Sequence, residues 1–355
     1  MKIIDVKTLE KVYSEIKEKS IHGKWITLKD IAPLYASLAE NIKVSLLGVS
    51  EEKREIYKLS VGSGEKRILI WSQMHGNEST GTKAVFDLLN YIKTFGNNQI
   101  IETILNNCTI VIVPMLNPDG SLAYTRVNAK GVDLNRDAVD LKAKESKLLR
   151  DLLNEFNPHF CFNLHDQRTI FGVEGTTNPA TISFLAPSEE ITRKLTSGRI
   201  ATMNVIIAMN TLLQQIIPDH IGRYTDEFYP TATGDNFQKL GHNTILIEAG
   251  HYPNDYDREE VRKFNFYALL QGLYHIAISN DFSEYQDYFN IPNNSKNFFD
   301  VIHRNEDGVD IAYQYVDKII DNQFTSTLVK QEIADLSNHI GHTENVFVNK
   351  KIKDS

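Results

Sequence analysis

Cysteine is nearly absent: the 355 residues contain only Cys108 and Cys161. That excludes a disulfide framework and any metal site built from thiolates. Both lie inside apolar runs, "NNCTIVIVP" and "HFCFNL", so buried free thiols are expected. Long apolar runs are missing as well, and none reaches the length that spans a bilayer. The opening "MKIIDVKTLEKVYSEIKEKS" has the pattern of an amphipathic helix, with charges throughout and no apolar core of a secretory signal. A cytoplasmic protein of a reducing compartment is therefore expected. Positive charge is in deficit, and a net charge of -8 argues against nucleic acid or an anionic membrane as partner. There is no internal repeat and no low-complexity linker. What remains is ordinary globular composition, 41% hydrophobic and 24% charged, enough for one large α/β domain with attachments.

The chain reads in three parts. Residues 1–40 form an N-terminal helical extension, with helical periodicity over 7–19 and 29–40. Residues 41–280 carry the main domain, and 281–355 an appendage of uncertain structure. Within the main domain two β-rich runs, "IKVSLLGVS" and "REIYKLSVG", precede four strongly apolar strand candidates: "KRILIWSQ", "CTIVIVPML", "HFCFNLH" and "NTILIEAG". Helical patterns separate these four, at 79–94, in "KESKLLRDLLNEF" and over 187–214, and another follows at 257–278. Ser79 or Thr80 is placed to cap the first of them. Strands apolar on both faces and separated by helices predict a mixed, mostly parallel central sheet with helices on both faces. The opening hairpin adds antiparallel strands at one edge. "VGSGEK" (Val61–Lys66) lacks the spacing of a phosphate-binding loop and is read as a hairpin turn.

Ligands of open α/β sheets bind beyond the carboxyl ends of the strands. Here each apolar strand leads into polar residues at that end. "ILIW" leads to His75 and Glu78, and "TIVIVPML" to Asn117–Gly120; "HFCFNL" leads to His165 and Asp166, and "TILI" to Glu248. His75 and Glu78, three residues apart where a strand gives way to a helix, can close on one cation, and Gly76 eases the bend between them. His165 is the best candidate for a third ligand. Two imidazoles and one carboxylate leave a fourth position open, as catalytic zinc requires. Glu248 ends an apolar run, where a carboxylate is too costly to bury without a purpose, and it suits a proton acceptor. Asp166 either orients a ligand or caps a turn. Arg126, Asn135 and Arg136 lie in "YTRVNAKGVDLNRD", a loop supplying an arginine fork and an amide suited to a carboxylate.

Together these motifs resemble the zinc metallocarboxypeptidases of the carboxypeptidase A type, over about residues 40–280. "HGNE" (His75–Glu78) looks like the first two zinc ligands, and "NLH" (Asn163–His165) looks like the strand carrying the third. "NPDG" (Asn117–Gly120) and "GVDLNR" (Gly131–Arg136) are similar to the family's two most recognisable loops. The resemblance implies one Zn2+ on His75, Glu78 and His165, and Glu248 as general base and acid. It implies Arg126 at the oxyanion, and Asn135 and Arg136 on the terminal carboxylate of a peptide or similar substrate. Tyr229 in "FYPTATGDNF" would be the closing tyrosine, with Tyr224 the other choice. Asp235 lies near where the family sets selectivity for basic residues, and equally where a helix cap would fall. The interval from Glu78 to His165 is shorter than in the digestive enzymes, which implies trimmed pocket loops. A zinc-dependent deacylase of the aspartoacylase type, acting on N-acyl amino acids, is the alternative. A zinc- or peptide-binding module without activity is a further reading. Nothing in the sequence fixes an oligomeric state.

Overall fold

The computed structural model describes residues 1–305, 309–333 and 335–347. The chain opens with α1 (Val6–Ile16), α2 (Leu28–Ile31) and a 3-10 turn at Ala32–Ser37, so Pro33 breaks the helix expected over 29–40 into two short pieces. Next come β1 (Lys43–Val49), β2 (Glu55–Val61), β3 (Lys66–Ser72), α3 (Thr80–Thr94), α4 (Gln99–Asn107) and β4 (Cys108–Val113). Then follow α5 (Pro118–Ala123), α6 (Lys144–Phe156), β5 (Phe160–Asp166), β6 (Phe171–Val173), β7 (Ile182–Leu185) and α7 (Ser197–Leu213). The central part ends with β8 (Ile221–Arg223), α8 (Thr233–Lys239), β9 (Asn243–Ala249) and α9 (Glu259–Ile278). Among the described residues of the C-terminal region there are five strands: β10 (Asn294–Lys296), β11 (Phe298–Asn305), β12 (Ile311–Ile320), β13 (Gln323–Lys330) and β14 (Ile340–Phe347).

The main sheet has eight strands in the order β1-β2-β4-β3-β5-β9-β7-β8. Its centre, β4-β3-β5-β9, is parallel throughout, and these are the four apolar strands of the sequence. β1 and β2 form the antiparallel edge, and β7 runs antiparallel to β9 at the other side. Alternation of side chains along each strand divides the core. Ile68 and Ile70 of β3 join the cluster that contains α1, α3, α7 and α9, whereas Leu69 and Trp71 join α6 and α8 on the opposite face. Cys108 and Cys161 are buried free thiols, as expected. Among the described residues no helix is long and apolar enough to cross a membrane.

Two local readings are overturned. "VGSGEK" is not a hairpin turn, because β4 lies between β2 and β3. The segment instead packs on the start of β4: Gly62 has φ +82°, and a Cβ on Gly64 would lie 1.9 Å from the Asn107 carbonyl carbon. The helix expected over 187–214 begins only at Ser197, with Thr196 capping Arg199 N; the preceding residues are turns and coil. The C-terminal residues, of uncertain structure in the sequence, form a four-stranded sheet in the order β13-β12-β11-β14, with β14 parallel to β11.

The N-terminal extension is fastened by a buried ionic knot. Arg262 of α9 forks onto Asp87 of α3 at 2.8 and 2.6 Å and also donates to the Ile21 and Glu18 carbonyls. Asp87 additionally accepts from the Tyr13 hydroxyl and from Glu18 N. Both charges are fully buried. Removing one partner strands the other in low dielectric. Asp87→Ala is expected to cost about 3–5 kcal/mol in urea unfolding, while the double variant Asp87→Leu/Arg262→Met should cost much less.

Candidate active site

The parallel register builds this site. His165 of β5 and Glu248 of β9 are direct partners across adjacent strands, so their side chains leave the sheet together at its carboxyl edge. His75 and Glu78 arrive from the loop between β3 and α3. Gly76 serves a different purpose from the bend expected of it: a Cβ there would lie 1.9 Å from the Gly120 carbonyl carbon and 2.1 Å from Ser121 N. The "HGNE" loop thus rests directly on the "NPDG" turn. Asn117 clamps the two, accepting from Gly120 N at 2.8 Å and donating to the Met74 carbonyl at 3.1 Å. Gln73, in the left-handed region at φ 50°, donates to the carbonyls of Ile26 and Gly76 and completes the support.

His75, Glu78 and His165 are buried, and one donor atom from each lies within 4.8 Å of the others. Glu78 reaches His75 Nδ1 at 2.8 Å through one oxygen and His165 Nδ1 at 2.9 Å through the other. The two Nδ1 atoms are 3.2 Å apart. Asp166 N donates to Glu78 at 3.0 Å, while the Asp166 side chain accepts from Thr80; its backbone orients Glu78 and its carboxylate anchors the start of α3. Ser79 occupies the cap position of α3 without capping it, donating instead to the Lys24 carbonyl.

Asp133, within the "GVDLNR" loop, is a further member of the site that the motifs alone do not reveal. It accepts from His75 Nε2 at 3.0 Å and from Arg126 Nε at 2.9 Å. Nothing in its local sequence marks it, because the partner lies 58 residues away. A carboxylate on Nε2 fixes the tautomer that leaves the Nδ1 lone pair of His75 free for a cation. Burial would push Asp133 up, but His75 and Arg126 override it and hold the carboxyl well below the usual range. Burial alone works to lower His75, yet Glu78 and Asp133 raise it above its ordinary value. At His165 burial prevails over Glu78 and holds the ring below its ordinary value. The donor set therefore fits one zinc ion: two imidazole nitrogens and a carboxylate, a second carboxylate behind the first histidine, and room beside them.

The cleft over these residues holds about 780 Å³. Glu248 lines it, and burial, reinforced by Glu78 and Asp166, pushes its carboxyl well above the usual range against the pull of Arg126 and Arg258. Arg126 is half-exposed and reaches Glu78 at 3.4 Å. Asn135 accepts from Thr233 N at 3.0 Å, which leaves its amide nitrogen as a donor to the cleft. Arg136 is exposed, bonds the Asn135 carbonyl at 2.8 Å and lies 5.9 Å from the Tyr229 ring centroid. Tyr229 stands at the mouth, 48% exposed, its hydroxyl on Glu227; Tyr224 lines the cleft half-buried, and desolvation and Glu248 push its phenol up. Asp235 does not cap α8, whose cap position is Ala232. It sits in the first turn, 6% exposed, accepts from Tyr229 N at 3.1 Å, and burial raises its carboxyl to about 6.

Residues 28–168 match the family model for zinc carboxypeptidases, peptidase M14. Carboxypeptidase 2 of Trichophyton tonsurans is 28% identical over 127 residues, 36% of this chain and 23% of that protein. Human carboxypeptidase D is 29% identical over 150 residues, 36% of this chain and 11% of that protein. The chain thus matches under a quarter of the length of these relatives. Among solved structures, a metallo-carboxypeptidase from Burkholderia cenocepacia superposes with TM-score 0.58 at 17% identity, covering 71% of this chain and 69% of that one. Carboxypeptidase A from Helicoverpa armigera gives TM-score 0.56 at 16% identity, covering 77% and 80%. Matches of this kind do not favour the deacylase alternative.

Zinc titration tests the donor set. One ion per chain is expected, lost in His75→Ala. Because zinc must displace the proton that the raised His75 holds, apparent affinity should weaken about tenfold per pH unit once the pH falls below that raised value. The resemblance carried by the motifs is borne out: residues 28–168 match the zinc carboxypeptidase family model, and the chain has the fold of the metallo-carboxypeptidases.

Proposed function

We propose that the chain is a zinc-dependent carboxypeptidase that hydrolyses the last amide bond of a peptide. The observation that carries this reading is the convergence of His75, Glu78 and His165 within one cleft beside Glu248, a carboxylate whose proton affinity burial has raised. Zinc, held by those three residues, would supply a Lewis acid and lower the pKa of a water at its open position.

The remaining work falls to side chains. Glu248 takes the proton of the attacking water and returns one to the departing nitrogen, a shuttle suited to a carboxyl tuned upward by its surroundings. Arg126 stands beside Glu78 with an exposed guanidinium, placed for the oxyanion that develops on the scissile carbonyl. Asn135 and Arg136 present an amide and a fork to the substrate's terminal carboxylate. A chain continuing past that point would leave the arginine unpaired, which restricts cleavage to the end. Tyr229, exposed against Arg136, is the better closing residue; Tyr224 is half-buried, its ring packed on Phe171, and has less freedom to move. Asp235, buried on the clamp side of the cleft, is placed to select a basic terminal side chain.

Peptide digestion followed by mass spectrometry tests the reading, with single residues lost from the carboxyl end as the expected result. Glu248→Gln should retain zinc and lose turnover by several orders of magnitude; near-normal turnover would reject its role. Arg136→Ala should weaken free-carboxylate substrates far more than amidated ones. Asp235→Ala should abolish a preference for terminal Lys or Arg over Phe. In the unmodified chain that preference should fade below about pH 6, as the Asp235 carboxyl takes up its proton.

A further inference from the structure

The cleft has two ends. Asn135 and Arg136 stand at one, packed against the start of α8. The other is bounded by the segments that follow His165 and Glu248, and by the C-terminal sheet. That sheet lays Asp300 of β11 and Gln314, Tyr315 and Asp317 of β12 along the cleft. It is fastened closely. Gln314 donates to the Thr169 hydroxyl, His342 Nε2 bonds the Thr169 carbonyl at 2.8 Å, and Phe298 N donates to the Ile170 carbonyl at 3.1 Å. Thr169 is four residues beyond His165, so at most about 14 Å of chain separates this wall from the third ligand. A few substrate residues span that distance.

Asp300 is the unusual group in the wall. It is 1% exposed, and one oxygen accepts from Gln314 Nε2 at 2.6 Å and from Tyr315 N at 2.7 Å. Among the described residues the other oxygen has no hydrogen-bond partner, nor has Gln314 Oε1. Burial and the neighbouring Asp300 carboxylate push the Tyr256 phenol up, and its hydroxyl approaches Asp300 without the geometry of a full hydrogen bond. No cation pairs with Asp300 among the described residues, although Arg168 and Lys296 also line the cleft. Holding the β12 backbone requires only the first oxygen. A buried carboxylate with a free second oxygen carries a cost that a cationic ligand would offset. The same wall already holds an ammonium of the chain itself: Lys24 Nζ lies 2.7 Å from Asp317 and 5.9 Å from the Tyr256 ring centroid.

We propose that Asp300, with Gln314 and Tyr256, forms a subsite for a primary ammonium carried by the substrate upstream of the scissile bond. The proposal rests on the carboxypeptidase reading and deepens it. An ammonium brings three donors and no acceptor, which matches two free acceptor oxygens beside an aromatic face. Its source is either the free amino terminus of a short peptide or a lysine side chain.

The zinc-loaded full chain would be assayed on peptides of three to five residues sharing one carboxyl-terminal pair. One arm compares free with acetylated amino termini; the other compares Lys with norleucine upstream in acetylated peptides. A preference of about ten- to a hundredfold in kcat/KM is expected in one arm, which identifies the source. No preference in either arm overturns the proposal. The ratio should collapse in Asp300→Asn and shrink in Gln314→Leu. A folded Asp300→Asn protein with an unchanged ratio overturns it, and if that variant fails to fold, the Gln314→Leu ratio decides. If no peptide is shortened at all, the carboxypeptidase reading fails separately. Calorimetric titration with the same peptide pairs then decides the subsite, tighter binding of the ammonium form supporting it and equal binding overturning it.

Discussion

Glu78, Asp166 and Glu248 share a space from which water is largely removed, and three carboxylates cannot all stay ionised there without compensation. Their arrangement depends on how that conflict is resolved. Glu78 is held well below its usual range, its burial outweighed by His75 and His165, while Glu248 is driven upward by its own burial and by Glu78. The site thus separates two like groups into an ionised one facing the histidines and a protonatable one facing the cleft. That separation suits one group to hold a cation and the other to carry a proton, the roles proposed above, and the β5–β9 register that sets His165 beside Glu248 is its structural origin. A bound divalent ion would pull in the opposite direction on Glu248, bringing its proton affinity into a working range.

Much of this was legible before any coordinates, and for one reason. His75, Glu78, His165 and Glu248 each interrupt or end a run of apolar residues, and in a parallel sheet the ends of such runs share one edge. Where the signal depended on strand neighbours instead of chain neighbours, the sequence misled. β2 and β3 are consecutive in the chain, yet β4 separates them, so the glycines between them serve a close approach and no hairpin. Residues 187–196 share the apolar and charged mix of the helix that follows, but the helix starts only where Thr196 caps it.

Asp133 and Asp300 were hidden for a related reason. Each carboxylate acts through partners far along the chain or across an interface, and neither sits at the end of an apolar strand. The C-terminal strands alternate weakly and expose much of their surface, with β13 open along most of its length, so their periodicity carried little information. Their contribution to the cleft depends on a few contacts to Thr169 and Ile170 that no local pattern announces.

The contact between Gly76 and Gly120 has a consequence for how such a chain can change. With less than 2 Å available for a side-chain carbon, the two turns behave as a single mechanical piece, although 44 positions (120 − 76) separate them in the chain. A methyl group at Gly76 fits only if the Gly120 turn backs away, and such a shift carries His75 and Glu78 with it; one at Gly120 presses instead on Asn117 and the Val127 carbonyl. Position 76 is therefore held by a turn far away in the chain, and an ancestor could have lost that glycine only by surrendering the geometry of the pair it supports.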